Sequence, residues 1–295
     1  MKKNNKTIDN NLINRFRNIK FNKKLLIHIF ITGLGFLMIY PLLWMLSSSF
    51  KPSTEIFASE SFFPQIFTLE NYIIGWKGIS GYTFTRFFTN SFFVTFMVVL
   101  GTLISSSMAA FAFSKLDFPL KKLFFAIMLG TLMLPYHVRL IPTYIVFNKL
   151  DWINTFLPLY VPRFFATHAF FVFLLVQYMR TIPNEIMESA KIDGSSMIGI
   201  YLRLMMPLSV PALITSGILT FIWTWNDFFS QLLYLSDVTK FTVAIALRMF
   251  IDATSGSSWG AMFAMSVLSL VPLFAIFVFF QKYIVEGITS GSVKG

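Results

Sequence analysis

The sequence predicts an all-α polytopic membrane protein with six transmembrane helices. Hydrophobic residues fill 56% of its 295 positions and charged residues only 13%, too little charge to cover a soluble domain of this length. Six segments, near residues 25–46, 88–113, 122–147, 155–177, 208–232 and 260–283, are apolar over the roughly 20 residues that a bilayer core requires. Lys and Arg are spread unevenly between alternate connecting segments, as topology signals are.

Residues 1–24 form a basic, Asn-rich arm with Lys2, Lys3, Lys6, Arg15, Arg17, Lys20, Lys23 and Lys24. Such an arm orients the first span and attracts anionic lipid. The apolar stretch at 25–46 exceeds the usual 7–15 residues of a signal-peptide core, so an uncleaved spanning helix is expected there. Residues 51–86 contain Pro52, Pro64, Gly75, Gly78 and Gly81, turn chemistry that predicts an ordered external loop with short elements. Pro135, Pro142, Pro158 and Pro162 cluster in the third and fourth segments. Prolines at membrane depth are tolerated beside cavities, so these two spans are expected to line a pathway. The segment 233–259 is a polar external loop, Gly/Ser-rich near 255–258, and no repeat of 20–50 residues is visible.

Orientation follows from the basic residues. The N-terminal arm, the 114–122 loop (Lys115, Lys121, Lys122), the 178–207 loop (Arg180, Lys191, Arg203) and the C-terminal end (Lys282, Lys294) together hold sixteen. The alternate loops hold six: Lys51, Lys77, Arg86, Lys149, Lys240 and Arg248. Both termini and the 178–207 loop are therefore expected in the cytoplasm. The expected organisation is a cytoplasmic arm at 1–24, a membrane domain at 25–283 and a cytoplasmic tail at 284–295.

Several functions are excluded. A net charge of +11 suggests nucleic acid, but the basic residues flank apolar spans and form no stripe. With no cysteine there is no disulfide or thiolate site. No phosphate-cradling Gly-x-x-x-x-Gly-Lys loop and no His-Glu-x-x-His pair occurs, and His28, His137 and His168 are far apart in sequence. No cofactor, catalytic metal or ATP hydrolysis is expected of this chain.

The 178–207 loop is predicted to be two short helices. Thr181 or Asn184 is placed to cap the first, with Pro183 tolerated in its first turn. Ile186, Met187 and Ala190 share an apolar face. Gly194 suits a left-handed helix terminator, and Ser195 or Ser196 can cap the second helix. That helix places Met197, Tyr201, Leu204 and Met205 on one side, and Pro207 opens the fifth span. On pattern alone, lipid headgroups and a protein partner are both eligible to cover it.

Polar residues within the spans are functional candidates. At about 1.5 Å per residue, Arg139 lies roughly 24 Å along the third span from Leu123, near its outer end, where snorkelling to the interface competes with a pathway role. Asp227 is also near an outer boundary, beside Trp223, Trp225 and Asn226. There an interfacial aromatic belt competes with a pathway-lining helix. Arg163 and His168 lie deeper, roughly 10 and 18 Å below the start of the fourth span near Phe156. Arg163, His168, Trp225, Asn226 and Asp227 are the candidate pathway residues.

The loop carries a resemblance. Glu188, Ala190, Asp193, Gly194 and Pro207 stand where the "EAA" loop of bacterial ATP-binding-cassette importer permeases has its motif residues. Ser189, Leu204 and Met206 replace Ala, Ile and Leu of that pattern. Tyr40-Pro41, Ser47–Lys51, Asn90-Ser91, Pro142-x-Tyr144, Trp225-Asn226-Asp227-Phe228 and the ending from Gln281 resemble the maltose-type second permease of the carbohydrate-uptake class. The resemblance implies a second, non-identical permease, two copies of an ATPase, one of them docking at the five EAA residues, and an extracytoplasmic solute-binding protein. It implies a sugar substrate, alternating access and residence in the bacterial cytoplasmic membrane. It further implies that Glu188 pairs with a basic residue of the ATPase and that the last external loop, here 233–259, reaches into the binding protein. An importer of a phosphorylated polyol, which Arg163 leaves open, and an ion-coupled secondary transporter are the competing readings.

Overall fold

The computed structural model describes the backbone over residues 5–251 and 258–289, and side chains over 23–251 and 258–283. Among the described residues the chain is helical and contains no strand; an isolated antiparallel bridge, Ile79 with Tyr82, closes a turn. Helix α1 (Asn5–Ser48) runs without a break from the basic arm through the first apolar segment. Helix α2 (Glu70–Lys77) is an ordered element within the 51–86 segment and packs on the last helix. Helix α3 (Phe84–Lys115) is the central post, packing against both the fourth and the fifth apolar segments. Its buried side is rich in small hydroxyl residues, Ser91, Thr95, Thr102, Ser105, Ser106 and Ser107, which let neighbouring helices approach closely.

The third segment is not one straight helix. It divides into α4 (Lys121–Leu132) and α5 (Tyr136–Lys149), which meet at 104°. Pro135 is the cause: it lacks an amide hydrogen and forces Leu134 away from the helical region. With 12 and 14 residues, the halves reach about 18 and 21 Å, so neither alone crosses a core of about 30 Å. The fourth segment is also interrupted. A short α6 (Leu157–Tyr160) gives way to a 3-10 turn over Val161–Phe165, Ala166 takes a left-handed conformation at φ 53°, and α7 (Ala169–Thr181) resumes.

The 178–207 segment folds into α8 (Asn184–Ile192), α9 (Met197–Ile200), a π turn over Tyr201–Met205 and α10 (Met206–Leu208). After a 75° bend at Ser209, α11 (Val210–Trp225) forms the fifth apolar helix. It ends at Trp225, short of the expected 232, and α12 (Phe229–Tyr234) follows the break. Pro207 therefore sits before the bend, and α11 itself opens at Val210.

The expected external loop at 233–259 is in fact packed structure up to residue 251. After a 3-10 turn at Val238–Lys240, α13 (Val243–Met249) buries Val243, Ile245 and Ala246 against α3 and α14 (Trp259–Thr289). The sequence read this stretch by its polar, Gly/Ser-rich end, which lies mostly at 252–257, outside the described residues. The last residues of the tail, 290–295, also lie outside them. Four helical stretches, Lys23–Ser48, Phe84–Lys115, Leu157–Thr181 and Trp259–Tyr283, are long and apolar enough to cross a membrane, and six are if each bent pair counts as one span.

The core has two ends. At one, Phe111, Leu175, Met179, Met187, Ile200, Met205 and Leu213 join α3, α7 and α11 to the α8–α10 segment. At the other, Phe84, Phe87, Trp225, Val243, Phe250 and Met265 join α3, α11, α13 and α14. Side chains of α1 from 25 to 43 contribute to neither, and Leu26, Phe30 and Met38 are among those left exposed.

Candidate functional site

Two features stand out. The first is the α8–α9 hairpin. Pro183, not Thr181 or Asn184, occupies the N-cap of α8, and Asn184 is the first helical residue. The C-terminus closes as a Schellman motif: Ser195 N–H donates to the Ala190 carbonyl at 2.9 Å and Gly194 N–H to Lys191 at 3.0 Å. Gly194 holds φ 80°, as that motif requires. Ser196 then caps α9, its Oγ accepting the Gly199 amide at 3.1 Å.

The hairpin is tied to the membrane domain from beneath. Met187, Ile200 and Met205 are buried. Tyr201 Oη and Ser107 Oγ of α3 lie 2.7 Å apart in a hydrogen bond. Lys115 Nζ donates to the Ile182 carbonyl and to Asn184 Oδ1. The opposite face is bare. Ile192 is 86% exposed and Ile198 72%, and Glu188 and Asp193 are exposed as well. Of the apolar residues expected to line up, Ile186 and Met197 point outward while Met187 and Met205 point inward. Such a grouping of exposed large apolar side chains marks an interaction surface.

The second feature is a half-open cavity of about 260 Å³ between the broken segments, with charged and hydroxyl side chains on its wall. Its walls come from α5 (Tyr136, Arg139, Leu140, Thr143, Phe147), the interrupted fourth segment (Pro158, Pro162, Arg163, Thr167, His168) and the break after α11 (Asp227, Ser230, Tyr234). An adjoining space of about 230 Å³ shares Tyr136, Arg163, His168 and Asp227, and adds Thr102 and Trp223. Ser105 of α3 fixes the 3-10 turn by donating its hydroxyl to the Arg163 carbonyl at 2.6 Å. Gly101, one turn earlier, leaves room for the Phe164 ring; a β-carbon there would lie 2.7 Å from it. Asp227 Oδ1 accepts the Ser230 amide at 3.0 Å, and Ser230 in turn hydrogen-bonds Tyr136. Tyr234 hydrogen-bonds Thr143 at 3.2 Å.

The structure thus brings Arg163, His168 and Asp227 together, but not Trp225 and Asn226. Trp225 is 4% exposed, stacks on Phe221 and donates its Nε1–H to the Ser269 carbonyl of α14 at 3.1 Å. Asn226 caps back onto the Ile222 carbonyl at 2.8 Å and faces away. Trp225 braces α11 against α14. Arg139, weighed for snorkelling, lines the cavity together with Tyr136 and Thr143. These three, with Leu140 and Phe147, follow i, i+3, i+4, i+7, i+11 spacing on one face of α5. That periodicity was the available signal, once Pro135 is taken as a helix start. Among the described residues no group of His, Asp and Glu is placed to hold a metal ion.

Broken apolar helices around a half-open cavity, with a capped helical hairpin at one end of the bundle, define a multi-pass membrane protein of the transport kind. The family described as "Binding-protein-dependent transport system inner membrane component" matches residues 101–290, and this chain belongs to it. The chain is 38% identical over 257 residues to "Probable ABC transporter permease protein YurM" of Bacillus subtilis strain 168, covering 87% of this chain and 84% of that one. It is 33% identical over 276 residues to "Trehalose/maltose transport system permease protein MalG" of Thermococcus litoralis, covering 92% and 98%. Its fold matches a chain of a bacterial ABC transporter involved in the import of the acidic polysaccharide alginate, with a TM-score of 0.79 at 22% identity, covering 90% and 96%.

Proposed function

We propose that this chain is a transmembrane subunit of an ATP-driven, binding-protein-dependent importer that moves di- or oligosaccharides across the cytoplasmic membrane. The observation that carries this reading is the α8–α9 hairpin, anchored from beneath by Met187, Ile200 and Tyr201 while it presents Glu188, Ile192, Asp193 and Ile198 to a partner. An element that transmits rigid-body motion between chains needs both properties. The sugar-uptake names of its relatives support the substrate class, and the sixteen-to-six distribution of basic residues supports a cytoplasmic hairpin and cytoplasmic termini.

In this reading the hairpin is where an ATPase subunit docks. Glu188 meets a basic side chain there, Gly194 sets the turn, Ala190 and Asp193 belong to the turn's frame, and Pro207 lies in α10 before the bend into α11. ATP binding by two ATPase copies moves the hairpin, and this chain and a second, non-identical permease alternate the access of a central path. A solute-binding protein delivers the sugar from outside. Arg163, His168 and Asp227 line the part of the path that this chain supplies. The chain itself hydrolyses nothing.

The test is a pull-down of the tagged, detergent-solubilised chain from its own cells, wild type against Gly194→Asp and Glu188→Ala. The reading requires co-purification of a second permease, an ATPase and a binding protein, with the ATPase lost in Gly194→Asp. Losing a buried charged pair at Glu188 weakens docking by about 2–5 kcal/mol. A chain that purifies alone, with uptake abolished by collapse of the proton gradient, would make it an ion-coupled secondary transporter instead.

A further inference from the structure

The cavity carries two cationic side chains and one anionic one. Arg163 stands where its two parts meet, with its main chain held by Ser105 and its neighbour Phe164 seated on Gly101. Arg139 reaches the same lining from the exposed side of α5. Among the described residues no carboxylate comes within 4.0 Å of either guanidinium, and neither donates a hydrogen bond to the protein. Asp227, the single carboxylate on this lining, gives Oδ1 to the Ser230 amide. Even with His168 uncharged, this lining carries one positive charge more than it carries negative.

We propose that Arg163 and Arg139 form an anion subsite, and that the sugar or polyol this importer carries bears a carboxylate or a phosphate. The inference rests on the importer reading and narrows its substrate class. Planar guanidinium forks match carboxylate and phosphate oxygens in paired hydrogen bonds, which neutral sugar hydroxyls do not reproduce. The 45% exposed indole of Trp223, beside His168 at 5.9 Å, offers an apolar face to the ring.

The experiment compares uptake of labelled digalacturonate, glycerol 3-phosphate and maltotriose by wild-type cells, cells lacking the chain, and cells carrying Arg163→Gln, Arg163→Lys or Arg139→Gln. Pull-down of each variant reports assembly. Deleting the chain should abolish uptake of an anionic probe. Loss of digalacturonate identifies a carboxylate and loss of glycerol 3-phosphate a phosphate. Arg163→Gln should lower that uptake at least about tenfold with the assembly intact, and Arg163→Lys, which keeps the charge without the fork, should lie between. If Arg163→Gln is not recovered with its partners, Arg139→Gln, on the exposed side, carries the same requirement. Loss of maltotriose uptake alone, loss of none of the three, or unchanged anionic uptake in an assembled variant overturns the inference. The importer reading falls separately, only if no ATPase co-purifies with the wild-type chain.

Discussion

Ser105 and Arg163, 58 residues apart in sequence, are joined by a 2.6 Å hydrogen bond from the serine hydroxyl to the arginine's main-chain carbonyl. The bond satisfies a carbonyl that the 3-10 turn leaves without a helical partner, and it pins the turn to the central helix. Ser105→Ala should therefore cost about 0.5–1.5 kcal/mol locally and reduce uptake severalfold. Gly101→Val, which drives a side chain into the Phe164 ring, should abolish it. Uptake by reconstituted vesicles checks both, and normal rates with Gly101→Val would show that the turn need not sit where it does.

Gly194 separates backbone strain from crowding. A β-carbon there meets nothing within 4 Å, yet φ is 80°. Uncharged substitutions should rank by tolerance of the left-handed region and not by size, whereas Gly194→Asp adds a second carboxylate beside Asp193 on the docking face. Gly194→Asn should retain much of the activity, and Gly194→Val should lose most of it although both fit the space. Substrate-stimulated ATPase activity of the purified assembly is the measurement; equal losses in the two variants would point to contact with the partner as the constraint.

Met187 is the nail that fixes α8 to the membrane domain, being 6% exposed on a helix whose other side chains are mostly exposed. Met187→Ala should cost about 2–5 kcal/mol through the cavity it leaves. Limited proteolysis of the solubilised protein should then cut within 184–200, where the wild type resists.

At the start of α2, Asn71 is 4% exposed and its Nδ2 donates to two main-chain carbonyls, of Ser49 at 2.9 Å and Lys51 at 2.7 Å. It closes the end of α1 onto α2. Asn71→Ala leaves both carbonyls buried without this donor, at about 1–3 kcal/mol. The purified assembly should melt several degrees lower, with substrate-stimulated ATPase activity at moderate temperature little changed.

The sequence made the hairpin legible because its signals are local. A Gly that needs positive φ and a Ser three residues before an orphan amide are visible within a few positions, and Gly194 and Ser196 occupy those roles. The prolines were legible as breaks but not as angles. Pro135 states that a helix must stop there, whereas the 104° turn depends on what α5 packs against. The cavity was legible only in part. Arg163, His168 and Asp227 announce themselves as charges among apolar residues, but Tyr136, Thr143, Ser230 and Tyr234 are ordinary residues made relevant by folding. Trp225 misled for the opposite reason: a Trp-Asn-Asp run invites a shared role, yet its indole turns to α14 while Asp227 turns to the cavity. Helix α13 was not legible because the composition of its stretch is averaged with the Gly/Ser-rich end.

The apolar run of α1 supplies no buried side chain between 25 and 43. Replacing those residues with an unrelated apolar helix of equal length would leave the buried core intact and remove only surface contacts such as that of Tyr40 with Phe62. Any preference for one apolar residue over another along that run must then be imposed from outside the polypeptide, by lipid or by a neighbouring subunit, and a scan of that helix would map those surroundings without disturbing the fold that carries it.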